Sequence, residues 1–223
     1  MKLNSNKLMP QNNGQNILRD DIEYIIHSDF EGNIIGPISK DHAHMGLVRV
    51  VLTHYSTWSM IYNQKTWKYG IQLKNPKKHD KYGAWKWDMG FAGHNCYIKD
   101  EGIFRPLWFN ENLVKEAKEE IWIDIEMCNS KGDFKKNIEN NLDKSTGFIF
   151  EEFHYKTDVN NEWVWLWFIV VSSELVKFED WEVVDFKWLL PEELNSFLEN
   201  NDNYCSPLPL VFEKAEKFRK IIF

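Results

Sequence analysis

"LVKEAKEEIWI", Leu113 to Ile123, sets Glu116, Glu119 and Glu120 at the i, i+3 and i+4 spacing that gathers side chains on one side of a helix. Like charges at that spacing cost only about 0.2–0.5 kcal/mol per pair in water. Lys115 and Lys118 stand beside them. A solvated helix face is the ordinary reading of such a stretch, so its surroundings must decide whether the carboxylates meet water or a ligand.

Working outward, Asn110 can cap this helix, which then runs to about Ile121, and Asp133 can cap a shorter one through about Leu142. Upstream, Ile22 to His27 has strand character and is followed by a Gly-Asn turn, Leu47–Asn63 and Trp67–Lys74 are rich in β-branched and aromatic residues, and Asn75–Gly83 has the polarity of a loop. Trp85 to Met89 leads into GFAGHN, whose glycines allow a tight turn or a close approach. Downstream, FIFEEFHYK and WVWLWFIVV read as strands. In the second, both alternating sets, Trp163/Trp165/Trp167 and Val164/Leu166/Phe168, are apolar, as expected of a central strand covered on both faces. WEVVDFKW is a further strand, PEELNSFLEN opens with proline at a helix start, and a last helix spans about Leu210 to Ile221. Strands interleaved with a few helices, without strict βαβ alternation, imply an α/β (α+β) fold with helices packed on both sides of a mixed sheet.

The chain has 223 residues, 43% of them hydrophobic, enough for one sizeable core. Residues 1–20 read as a poorly structured extension rich in Asn, Gln and Lys, and residues 21–223 as one domain. A net charge of -7 argues against binding long nucleic acid, which draws its affinity from clustered lysine and arginine. Cys96, Cys128 and Cys205 lie far apart with neither disulfide nor zinc spacing, so a reducing cytoplasm is expected. No apolar run approaches the roughly 20 residues of a membrane span, so a soluble protein is expected.

GAWKWDMGFAGH (Gly83 to His94), followed at a distance by KEAKEE and an Ile/Asp/Ile strand, resembles the Nudix superfamily, whose signature is G-x5-E-x7-R-E-U-x-E-E-x-G-U with U apolar. Gly93 matches the opening glycine, Lys115 the arginine, Glu116 the glutamate after it, Ala117 the apolar position, and Glu119 with Glu120 the glutamate pair. EGNIIGPISKDHAHMGLVRV, YGIQLKNPKKHDKYGAWKWD, NNEWVWLWFIV and WEVVDFKWLLPEEL look like the branch of that superfamily related to isopentenyl-diphosphate isomerase. Together these stretches cover roughly Ile22 to Phe212. The sequence departs from the pattern in three places: about eight extra residues between Gly93 and Lys115, an insertion around 96–110; lysine for arginine at 115; and Trp122 at the glycine position.

The resemblance implies a Nudix-like α/β/α sandwich and an Mg²⁺- or Mn²⁺-dependent hydrolase that cleaves a diphosphate linkage in a nucleoside diphosphate derivative or related small molecule. It implies that Glu116, Glu119 and Glu120, the Gly93 carbonyl and Glu162 hold the ion, that Glu119 or Glu120 takes the proton from water, and that Lys74, Lys78 and His94 reach the substrate. Carboxylates on a rigid helix suit such an ion, which neutralises phosphoryl oxygens and acidifies a bound water. Two other readings stay open. One is a binding or regulatory module in which the signature has decayed. The other is the isomerase itself, which the resemblance would equip with a cysteine where Ala92 stands, a metal-binding histidine at His94, an upstream ligand at His42 or His44 and a further histidine near Arg49 and Val50, where there is none.

Overall fold

The computed structural model describes residues 18–77, 83–140, 143–178 and 181–223. Lys78 and nearly all of the expected extension lie outside the described residues. The strands in chain order are β1 (Tyr24–Ser28), β2 (Ile34–Ser39), β3 (Thr53–Asn63), β4 (Lys68–Lys74), β5 (Trp87–Asp88), β6 (Phe91–His94), β7 (Tyr97–Asp100), β8 (Ile103–Pro106), β9 (Ile125–Met127), β10 (Ser145–Lys156), β11 (Asn161–Val171) and β12 (Val183–Leu189). The helices are α1 (Lys40–Ala43), α2 (Val48–Val51), α3 (Phe109–Ile121), α4 (Lys131–Asn140), α5 (Pro191–Asn200) and α6 (Leu208–Ile222).

Two compact units share this chain. The first comprises the residues up to Thr57, His94–Asn112 and Glu152–Trp165; the second comprises Trp58–Gly93, Leu113–Glu151 and Leu166–Phe223. In the second unit the sheet runs β12-β4-β3-β11-β10-β9, with β12 antiparallel to β4, β4 antiparallel to β3, and β9 parallel to β10. The sheet is therefore mixed, as the interleaved pattern predicts. β3 and β11 are its middle strands, and from Leu166 to Val171 every residue of β11 is buried. Helix α6 buries Leu208, Val211, Phe212, Ala215 and Phe218, and the Phe218 ring stacks on Phe150 and Phe148. Helix α4 adds Phe134, which stacks on Phe148. Aromatic rings of this size remove large apolar areas from water and fix one another's orientation.

In the first unit β1 pairs antiparallel with β2 and, through His27 and Ser28, with the start of β3. The insertion around 96–110 is an organised element: β7 and β8 form an antiparallel hairpin turned by Glu101 and Gly102, both in the left-handed region.

Three boundaries differ from the sequence reading, each for a local reason. Residues 48–51, expected to be extended, form the helical turn α2, and β3 starts only at Thr53. Gly46, at φ +47°, reverses the chain ahead of it, and the buried Asn161 amide donates to the Val50 and Val51 carbonyls at 3.0 and 3.2 Å, so the end of the turn is satisfied despite its β-branched residues. Asn110 does not cap α3, which begins at Phe109; Glu111 instead accepts the Trp108 amide at 2.7 Å. Asp133 lies inside α4, where Ser130 accepts its amide at 3.0 Å and donates to its carboxylate at 2.6 Å, a reciprocal cap of the Ser-x-x-acid kind.

Candidate functional site

Helix α3 sorts its three glutamates. Leu113, Ala117 and Ile121 form its fully buried apolar stripe, and Glu116 and Glu120, each one residue before a member of that stripe, are drawn inside with it. Glu119 projects outward, its side chain 46% exposed and paired with Lys115 at 2.6 Å. The one-sided cluster expected from spacing is thus two inner carboxylates and one outer.

Glu116 packs against Gly93. A Cβ on Gly93 would overlap the Glu116 carboxyl carbon and both its oxygens, so any larger residue there would force that carboxylate to move. Burial, opposed by Lys115 and reinforced by the Glu120 and Glu119 charges, pushes the Glu116 carboxyl up to about 7.

Glu120 meets β4. Lys74 Nζ lies 2.5 Å from its Oε1, Gln72 Nε2 donates to Oε2 at 2.7 Å, and the Ala92 amide donates to Oε2 at 3.3 Å. Lys74, expected at the margin of a solvated loop and in reach of substrate, is buried. Burial acts to lower its pKa, but the Glu120 and Asp88 carboxylates overcome that and hold the ammonium above its ordinary range.

The first unit holds a second constellation. The ligand atoms of His44, His54 and His94 all lie within 4.8 Å of one another. A tetrahedral ion with nitrogens at about 2.1 Å would bring them to about 3.4 Å, a small closure. His54 is fully buried on β3, neither ring nitrogen makes a well-formed hydrogen bond, the Leu52 backbone offering only a weak one, and its Nε2 lies 3.8 Å from Glu162 Oε1. Burial, with the neighbouring His44 and Arg49 charges, lowers the His54 pKa to about 3, so the imidazole is held neutral, the form that ligates metals. His44 is oriented from behind. Its Nδ1 donates to the Lys40 carbonyl at 2.7 Å, which leaves Nε2 with the lone pair. Glu162 is oriented likewise, with Ser56 Oγ donating to Oε2 and Asn160 Nδ2 to Oε1. Burial raises its pKa against those two hydrogen bonds. Among the described residues this is the one group of three or more histidines, cysteines or acids placed to share an ion.

The structure therefore brings Gly93, Glu116, Glu120 and Lys74 together, and separately gathers His94 and Glu162 with His44, which the sequence reading weighed only as an isomerase ligand, and with His54, which it did not assign. His54 was missed outright. Its signal is the alternation in β3, where His54 and Ser56 point to one face of a strand buried along its whole length; polar side chains there need partners.

No protein-family model and no curated protein matches this sequence. Solved structures do. DR0079 from Deinococcus radiodurans is 12% identical with a TM-score of 0.58, over 86% of this chain and 99% of that one. A MutT protein from Methanosarcina mazei Go1 is 15% identical with a TM-score of 0.50, over 75% and 96%. A hydrolase of the NUDIX family from Clostridium perfringens is 19% identical over 74% and 97%, at a TM-score of 0.46. At such identities the likeness is one of fold. The mixed sheet and its helices share the α/β/α sandwich fold of the first two of these structures.

Proposed function

We propose that this chain is a metal-dependent hydrolase acting on a diphosphate linkage in a small molecule, a nucleoside diphosphate derivative being the fitting class, with its ion held by His44, His54, His94 and Glu162. The observation that carries the reading is the buried, neutral, poorly partnered His54 ring, set among two further imidazoles and a carboxylate. A buried polar ring so poorly partnered is costly, and a cation completing the group would remove that cost. Three imidazoles favour Mn²⁺ or another first-row ion over Mg²⁺, which prefers an all-oxygen shell. Such an ion, when bound, supplies charge neutralisation at phosphoryl oxygens and an acidified water.

The side chains prepare for that chemistry. The Lys40 carbonyl fixes the His44 tautomer, and Ser56 and Asn160 fix the Glu162 carboxylate. Three neutral rings and one carboxylate leave a divalent ion with net positive charge, which attracts an anionic diphosphate. Glu120 does not enter as a ligand, because both its oxygens are engaged.

The test is metal analysis of the purified chain together with phosphate release from a panel of diphosphate compounds. The wild type should carry or take up Mn²⁺ and show turnover that a chelator abolishes. His44→Ala/His94→Ala should lose both. A wild type that binds the ion yet turns over nothing on a broad panel would favour the binding module instead.

One observation favours a second reading. His54 supplies a third imidazole beside His44 and His94, whereas the isomerase resemblance looks for its further histidine near Arg49 and Val50. Ala92 opposes it, since it offers no thiol for the proton transfer. Double-bond migration in isopentenyl diphosphate, followed by proton NMR, would establish that reading over hydrolysis.

A further inference from the structure

We propose that Lys74 is the resident cation of helix α3, held by Glu120 where the signature would place a divalent ion, so that the acidic helix takes no metal while Lys74 stands. The inference concerns the helix alone and holds whether or not the chain turns over a substrate.

The site is built by one strand face. Gln72 and Lys74 are two residues apart on β4 and so project to the same side, while the alternate residues Ile71 and Leu73 are buried with the core. Antiparallel pairing with β5, Gln72 opposite Asp88 and Leu73 opposite Trp87, fixes the register, and the Lys74 amide is held by the Lys86 carbonyl at 3.0 Å. Both side chains then meet one carboxylate. Lys74 Nζ takes Oε1 of Glu120 at 2.5 Å, and Gln72 Nε2, with the Ala92 amide, takes Oε2 at 2.7 and 3.3 Å.

Three donors and a full positive charge thus surround an acceptor with about four lone-pair positions. A divalent ion at Oε2 would have to displace a donor, and one at the remaining position on Oε1 would stand within a few ångströms of the Lys74 ammonium. The Lys74 and Glu120 side chains are 4% and 2% exposed, so neither has water nearby to receive it if it leaves. The outer Glu119 and the Gly93-packed Glu116 remain on the helix, but without Glu120 the triad expected to cage an ion is broken.

The experiment uses the full chain with the histidine group silenced, His44→Ala/His94→Ala, titrated with Mn²⁺ by calorimetry while the Gln72 side-chain amide is followed by NMR. No saturable Mn²⁺ binding and an unbroadened Gln72 amide are expected. Adding Lys74→Met should create saturable binding at least tenfold tighter, abolished again by Glu120→Gln; adding Lys74→Arg, which keeps the charge, should create none. Saturable Mn²⁺ binding that broadens the Gln72 amide with Lys74 in place would overturn the proposal, as would a folded Lys74→Met chain that binds no tighter. If Lys74→Met does not fold, the Gln72 signal in the silenced chain decides alone.

Discussion

Replacing Gly93 with alanine tests the packing on which the inner face of α3 rests. Gly93 is absent from the left-handed glycines, so an added methyl brings no backbone strain and its whole effect must come from contact. That methyl would overlap the carboxyl carbon and both oxygens of Glu116, whose side chain is only 12% exposed. The carboxylate can escape only by leaving its rotamer, at about 0.5–1.5 kcal/mol, or by pushing its neighbours apart, in the overpacking range of about 1–3 kcal/mol. Its contact with Lys115 at 3.4 Å involves a half-exposed lysine and adds little. A loss of about 2 kcal/mol is expected, read by urea denaturation as a lower midpoint at unchanged slope. Glu116→Gln keeps the shape and should keep the loss, whereas in a Glu116→Ala background the same Gly93→Ala change should cost less than about 0.5 kcal/mol. Equal cost in both backgrounds would refute the contact, because coupled neighbours must fail additivity.

Three further outcomes follow from the same structure. Lys74→Met or Glu120→Gln alone should cost about 3–5 kcal/mol by stranding a buried charge, and the double variant should cost clearly less than the sum; a denaturation cycle that adds up would show that the pair is screened. Trp122, at φ 57°, holds the position of the signature glycine, with Lys118 Nζ 4.0 Å over its ring. Trp122→Gly should be about 1 kcal/mol more stable than Trp122→Ala, since both lose the ring and its cation–π contact and only glycine relieves the left-handed strain; equal stability in urea denaturation would contradict that strain. Burial pushes the Tyr97 phenol up to about 12. Between pH 10 and 12 the folded chain therefore keeps a proton that the unfolded chain releases, and stability should fall as pH rises through that window. Absorbance titration of wild type and Tyr97→Phe should show a phenolate signal missing from the variant only near the upper end of it.

Periodicity made part of this molecule readable. Apolar residues on both faces of WVWLWFIVV announced a central strand, and β11 is one, because such a pattern can be buried only between two covering layers. The glycine-to-helix relation was readable too, through Gly93 and Glu116. Caps were less so: Asn110 and Asp133 are good capping residues in type, yet Glu111 and Ser130 make the bonds, since a cap depends on where the chain enters the helix. The hairpin of β7 and β8 escaped notice because its turn uses Glu101 in a left-handed conformation and carries no Asn-Gly or Asp-Gly pair.

The charges show most clearly where a one-dimensional reading stops. Spacing along α3 establishes which glutamates share a face, but the group that meets them is supplied by β4, 46 residues away for Lys74 and 48 for Gln72. A lysine at a strand end beside a polar loop is ordinarily solvated, and nothing in KNPKKHD distinguishes Lys74 from Lys77. What separates them is register. Lys74 is the last residue of β4 still hydrogen-bonded across to the Lys86 carbonyl, so its side chain is committed to the sheet face, while Lys77 follows a turn in which Asn75 Oδ1 accepts its amide at 2.8 Å. The same holds for His44, His54 and His94, which are scattered in sequence, His54 and His94 being made neighbours by the pairing of β3 with β6 and His44 by the end of α1. An acidic motif in sequence is a statement about one side of an electrostatic contact, and the fold determines whether a metal ion or a lysine provides the other.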